Sequence, residues 1–151
     1  MPDVIIADTS CLILLMKIGK LEILKKLYSK VFITDEVAKE FGVALPVWIK
    51  IKKLSNKNSL TILKLDLGIG EASSIALAIE LENSFLILDD LRARKCAKKL
   101  GLKFTGTLGV IAEAFSNGYI KSVKAVLNQI KKTDFRLSAE LEKKLLSLEK
   151  N

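Results

Sequence analysis

The chain alternates between short unbroken apolar runs and longer stretches in which apolar residues recur every three or four positions. The first pattern marks strands covered on both faces of a parallel sheet, and the second marks amphipathic helices. Val4-Ile5-Ile6-Ala7 reads as a buried first strand ending at Asp8. Ser10 is a candidate cap for the helix that follows, which carries Cys11, Leu14, Leu15 and Ile18 and is stopped by Gly19. A short helix with Leu21, Leu24, Leu27 and Tyr28 on one face leads to a strand at Val31-Phe32-Ile33. Thr34 is a good N-cap for a helix through Phe41, ended by Gly42. Pro46 to Lys53 is expected as a short helix containing Trp48, Ser55 to Ser59 as a polar loop, and Leu60 to Leu65 as a strand.

The stretch from Gly68 to Arg94 is the piece around which the rest is arranged. Ala72, Ile75, Ala76 and Ile79 share one helical face, and Phe85-Leu86-Ile87-Leu88 is a continuous apolar strand. A helix with Ala93, Ala97 and Leu100 inward follows, stopped by Gly101, and a brief strand forms around Phe104. Three more helices are predicted. The first, from Thr107, places Leu108, Ile111, Ala112 and Phe115 together and ends near Gly118; the second carries Val123, Val126, Leu127 and Ile130; the third, after Ser138, carries Leu141, Leu145 and Leu148. No repeat or linker divides the chain, so residues 1–151 are expected to form a single domain. Strands alternating with helices predict a three-layer α/β/α sandwich around a mostly parallel central sheet.

Composition narrows the chemistry. The chain is 50% hydrophobic and 28% charged, as expected of a soluble globular protein. Its net charge of +8 favours polyanions, nucleic acid being the common case, although a lysine-rich solvated surface accounts for the same charge. Cys11 and Cys96 lack metal-ligand spacing and read as buried, reduced thiols of a cytoplasmic protein. No basic leader precedes the first apolar run, so no signal peptide is expected, and no apolar stretch approaches the ~20 residues of a membrane span. Histidine is absent. That removes Ser-His-Asp and Cys-His catalysis and imidazole zinc sites, so any metal site must use oxygen ligands, which suit Mg²⁺ or Mn²⁺.

Acidic residues stand where strands end and helices begin. Asp8 and the Asp89-Asp90 pair each follow an apolar strand, Glu71 opens a helix, and Glu40 lies near the end of another. Carboxylates just beyond the carboxyl ends of parallel strands lie where α/β folds bind ligands. A cluster of them is costly to bury without compensating cations, and a divalent ion is the natural compensation. Each acid also has a structural reading: Glu71 favours the helix dipole, Asp89 or Asp90 caps the next helix, and Glu40 pairs with a lysine at the surface. Thr9 or Ser10 would add a hydroxyl. Arg92, Arg94, Lys95, Lys98 and Lys99 follow the acids directly, and Lys50, Lys52, Lys53 and Lys57 form a second basic run. Both runs read equally as the wet side of helices or loops. Trp48 and Tyr119 suit either base stacking or packing. Gly68-Ile69-Gly70 lacks the third glycine of a dinucleotide fingerprint, and no P-loop motif is present. Asp8-Thr9-Ser10 lacks the second aspartate of an aspartyl-phosphate phosphatase.

The opening Val-Ile-Ile-Ala-Asp-Thr-Ser-Cys-Leu, the Glu40 helix, Gly-Ile-Gly-Glu-Ala-Ser at 68–73 and Leu-Asp-Asp-Leu-Arg-Ala-Arg at 88–94 together resemble a PIN domain. The nearest branch is the prokaryotic one akin to VapC toxins, which Gly-Thr-Leu-Gly-Val-Ile at 106–111 and the basic helical tail also resemble. The resemblance covers nearly the whole chain. It implies a three-layer fold with a parallel sheet and a Mg²⁺- or Mn²⁺-dependent ribonuclease. Asp8, Glu40, Glu71 and Asp90 match the family's ordered catalytic acids. Asp8, Glu71 and Asp90 are the metal ligands it implies, with Asp89 as the alternative to Asp90. RNA contacts are expected from Ser10, Arg92, Arg94 and Lys95, and a homodimer and an antitoxin partner are further expectations. One departure stands out. The family often carries another aspartate after the next short strand, where this chain reads Phe104-Thr105-Gly106-Thr107.

Overall fold

The computed structural model describes residues 3–149. Five strands form one parallel sheet: β1 (Val4–Ala7), β2 (Lys30–Ile33), β3 (Ile49–Ile51), β4 (Ser84–Ile87) and β5 (Phe104–Thr105), in the order β3-β2-β1-β4-β5. The helices are α1 (Thr9–Lys17), α2 (Ile23–Leu27), α3 (Asp35–Phe41), α4 (Asn58–Leu63), α5 (Ile69–Glu80), α6 (Leu91–Lys99), α7 (Thr107–Ser116), α8 (Val123–Lys131) and α9 (Ala139–Glu149). The predicted α/β sandwich is what forms, and its sheet is parallel throughout. No helix among the described residues is long and apolar enough to cross a membrane.

Strand alternation divides the core in two. Ile5, Ala7 and Ile87 pack with α1, α2, α7 and α8, while Ile6, Leu86 and Leu88 pack with α4, α5 and α6. A two-sided core explains why β1 and β4 are unbroken apolar runs, since neither face meets water. The consequence for function lies in the strand order. The chain leaves β1 toward β2 and β3, then returns to pair β4 on the other side of β1, in the register Ala7↔Ile87. The two carboxyl ends therefore lie side by side at the point where the winding reverses, the usual ligand crevice of such sheets.

Several local expectations are corrected. Pro46 to Lys53 does not form a helix; it contains edge strand β3, paired with β2 from Val31↔Ile49 to Ile33↔Ile51. Lys52 N–H continues that ladder to the Ile33 carbonyl at 2.8 Å. Three residues are too short to show a period, so a neighbouring strand decides their conformation. Leu60 to Leu65 is not a strand. It lies largely in α4: Leu60 and Leu63 turn to the core, as does Leu67 beyond the helix, while Ile62 and the following Leu65 are 68% and 80% exposed. Ile79, Leu100, Leu141 and Leu148 fall outside the buried faces assigned to them, because α5 is instead buried along Gly70–Ala78 and α9 contributes Leu145. Cys11 is buried as expected, but Cys96 is only partly so. Trp48 packs against the core, and Tyr119 lies exposed beneath the Lys26 ammonium.

Candidate active site

The first acid is placed by the first strand. Asp8 follows β1 directly and is 2% exposed. Asp8, not Ser10, caps α1: its Oδ1 accepts from Cys11 N–H at 3.0 Å, and its Oδ2 accepts from the Ser10 hydroxyl at 3.1 Å. The cap is shifted two residues because β1 ends at Ala7 and the chain must turn at once into the helix. These bonds fix the carboxylate but do not compensate its burial. Loss of water and the nearby Asp89 charge push its carboxyl from 3.8 up to about 7, against the Cys11 and Ser10 donors and with Glu71 adding to the rise.

Asp90 and Asp89 take different roles. Asp90 is the N-cap of α6, accepting from Ala93 N–H at 3.0 Å. Asp89 accepts from the backbone N–H of Thr107 at 2.8 Å and from the Thr107 hydroxyl. A carboxylate bound at two points is committed to the start of α7, while Asp90 remains exposed at the lip of the crevice.

Glu71 stands in the first turn of α5, as expected. Desolvation pushes its carboxyl from 4.5 up to about 7, helped by the Asp90 charge, by a hydrogen bond with Asp90 that favours the neutral form, and by Glu40. Its Oε2 is buried and receives no hydrogen bond from any N–H or hydroxyl. Glu40 arrives from α3, which Thr34 caps by accepting from Val37 N–H at 3.0 Å and which Gly42 ends at φ +69°. The Glu40 Oε1 accepts from the Thr9 hydroxyl. Gly70 lets α5 approach this pair, since a Cβ there would collide with the Glu40 carboxylate.

Asp8, Glu40, Glu71 and Asp90 thus line one cavity of about 390 Å³, with Thr9 and Ser10 in its wall. Asp89 faces a neighbouring cavity but still acts on Asp8 through its charge. Among the expected basic contacts the positions differ. Arg94 lines the neighbouring cavity, Arg92 donates to the Asp66 carbonyl at 3.2 Å, and Lys95 is exposed and lines neither cavity. Arg136 was missed by sequence reasoning; it reaches that neighbouring cavity from the loop between α8 and α9. A lone arginine 42 positions after Arg94 carries no local signal, and only folding brings the loop to α1, where Asp134 meets Lys17 at 3.3 Å.

Four acids from four separate elements, gathered at the reversal point of a parallel sheet, are accompanied by a match over nearly the whole chain: a sequence model of the PIN domain covers residues 4–151. The chain belongs to the PIN domain family. PIN domains are generally nucleases, typically use divalent metal ions and often bind nucleic acid. The fold of this PIN domain is similar to that of a PilT N-terminus domain protein, SSO1118, from the hyperthermophilic archaeon Sulfolobus solfataricus P2. The two agree with a TM-score of 0.54 at 24% identity, over 74% of this chain and 92% of the other. Comparison with curated proteins gives no match.

The donor set of this PIN domain fits a hard divalent cation. Every available ligand is an oxygen, no N–H or hydroxyl donates to the buried Glu71 Oε2, and burial, aided by neighbouring acid charge, pushes two carboxyls up to about 7. Among the described residues no three acidic or thiol side chains are arranged to hold an ion directly. Mg²⁺ keeps several of its waters and binds through one or two carboxylates, so the remaining acids would act through those waters.

Proposed function

We propose that this PIN domain is a metal-dependent endoribonuclease that hydrolyses RNA phosphodiester bonds. One observation carries the reading: four carboxylates on four elements share a cavity in which a buried carboxylate oxygen has no N–H or hydroxyl donor. Asp8, Glu71 and Asp90, with Asp89 as the alternative to Asp90, would hold Mg²⁺ or Mn²⁺ partly through its waters, and Glu40 lines the same cavity. When bound, the ion supplies water activation and neutralisation of phosphodiester charge.

The chain's own residues do the rest. Asp8 is immobilised by the α1 cap and Asp90 by the α6 cap, so neither has to be ordered when substrate arrives. The Thr9 hydroxyl holds Glu40 in the cavity wall, and Ser10 offers a hydroxyl at its mouth. Exposed lysines and arginines draw the RNA strand toward an otherwise acidic crevice. Water oxygen bonds to phosphorus in line with the departing 3′ oxygen, leaving a 3′-hydroxyl and a 5′-phosphate. The protein is proposed as a single cytoplasmic domain of the VapC-like branch, acting as a homodimer and as the toxin of a toxin–antitoxin pair.

Calorimetric titration of Mn²⁺ into the parent and Asp8→Asn, followed by incubation of both with RNA, tests the reading. Binding and cleavage in the parent, both lost in Asp8→Asn, are expected. A parent that neither binds Mn²⁺ with RNA present nor cuts would overturn it. A second reading, a module that holds RNA without cutting, is favoured by the hydroxyls at 105–107, a region where the resemblance to the family leads one to expect a further acid. RNA binding that persists in EDTA with no metal affinity would select it.

A further inference from the structure

The cavity next to the acids is mixed in charge, with two arginines in its wall beside Asp89 and Asp90. It has a volume of about 680 Å³ and shares Ser10 and Asp90 with the acidic cavity, so the two lie side by side across these residues. Arg94 and Arg136 both line it, and among the described residues neither makes an ion pair. The nearest carboxylates are already engaged, Asp89 by Thr107 and Asp90 by Ala93 N–H. The Arg94 guanidinium carbon lies 5.2 Å from the centroid of Phe104, and its Nε is buried without a partner. Gly106 leaves room beside it, since a Cβ at that position would stand 3.6 Å from an Arg94 terminal nitrogen and 3.1 Å from Asp89 Oδ1. Phe135 and Leu141 give the same cavity an apolar side.

We propose that Arg94 and Arg136 form a phosphate-binding subsite for the nucleotide flanking the one held at the acids. A guanidinium with unsatisfied donors, stacked on an aromatic ring and unpaired by carboxylate, matches the planar fork that phosphate accepts from two N–H groups. A strand whose scissile phosphate sits among Asp8, Glu71 and Asp90 continues past the Ser10–Asp90 wall and reaches these arginines. Phe135 and Leu141 then face its sugar or base. The two cavities together fix the position of the strand, the acids being complementary to an ion and the arginines to a bare phosphate. Arg92 and Lys95 are left as general attraction only. This subsite rests on the nuclease reading for its orientation but not for its binding.

The test is fluorescence anisotropy with a labelled single-stranded RNA of about 12 nucleotides and the full chain in EDTA, over roughly 50 to 200 mM salt. Arg94→Gln and Arg136→Gln should each weaken binding about tenfold at the low-salt end and reduce the salt slope by about one phosphate contact. Lys124→Gln, on an exposed residue lining neither cavity, should leave the slope nearly unchanged. Arg136 is exposed, so its variant keeps the test open even if Arg94→Gln loses its fold by circular dichroism. Unchanged slopes in a folded Arg136→Gln protein, or a parent that does not bind RNA at all, would overturn the subsite. Failure of the nuclease reading looks different: no Mn²⁺-dependent cleavage by the parent while the arginine effects persist.

Discussion

Thr107 gives both its backbone N–H, at 2.8 Å, and its hydroxyl to the carboxylate of Asp89. The pair joins the end of β4 to the start of α7 across β5. Thr107 is fully buried, and its loss leaves Asp89 oxygen without a donor. Thr107→Val should cost about 1–3 kcal/mol, the usual penalty for orphaning a buried polar partner. Chemical denaturation would read this as a lower midpoint with unchanged slope; an unshifted midpoint would mean that water replaces the hydroxyl freely.

The acids themselves should be separable from the fold. Asp8→Asn and Asp90→Asn both retain a good helix-capping side chain, so near pH 4, where the Asp8 carboxyl of the folded protein is neutral, each protein should keep its thermal midpoint within a few degrees. Cleavage should fall by well over about a hundredfold, the upper end of the cost of losing an outer metal partner. Parallel gel assays and melting curves check both halves. Equal cleavage by the variants and the parent would remove these residues from the site.

Gly70 offers a way to move Glu40 without changing it. A Cβ at position 70 collides with the Glu40 carboxylate, an exposed side chain that swings aside at little cost. Helix α5 meanwhile gains roughly 0.5–1 kcal/mol from alanine in place of glycine. Gly70→Ala should therefore stay within about 1 kcal/mol of the parent in stability and lose activity to the level of Glu40→Gln. Full activity in Gly70→Ala would show that Glu40 need not occupy the cavity wall.

Acidity should stabilise the metal-free protein. On folding, the Asp8 carboxyl rises from 3.8 to about 7 and that of Glu71 from 4.5 to about 7. Both are raised acids, so their contribution is complete below about pH 4 and is lost as pH climbs through about 7. For the buried Asp8 the upper figure is about 4 kcal/mol; the half-exposed Glu71 adds a smaller, solvent-screened amount. Melting in EDTA should give a midpoint that declines from pH 5 to 8, and Asp8→Asn should flatten the decline. If that variant follows the parent's profile, the slope belongs to other groups.

The sequence by itself determined the layers. Unbroken runs such as Val4–Ala7 and Phe85–Leu88 can only be satisfied with both faces covered, which requires helices on each side of a parallel sheet. It also marked Asp8, the Asp89-Asp90 pair and Glu71, because a charge after a buried strand or in a helix's first turn is visible in one dimension; Glu40 and the preference for Asp90 came from the resemblance to PIN domains. Two short elements were misread. β3 is held by its neighbour β2, and α4 shows its face only against α5. Tertiary structure decided the placement of Asp8 as cap in place of Ser10, the division of Asp89 from Asp90, and the arrival of Arg136 beside Arg94. Each depends on contacts between residues far apart in the chain or on where a strand stops. Local pattern carries burial and period; it does not carry which distant donor reaches a carboxylate first.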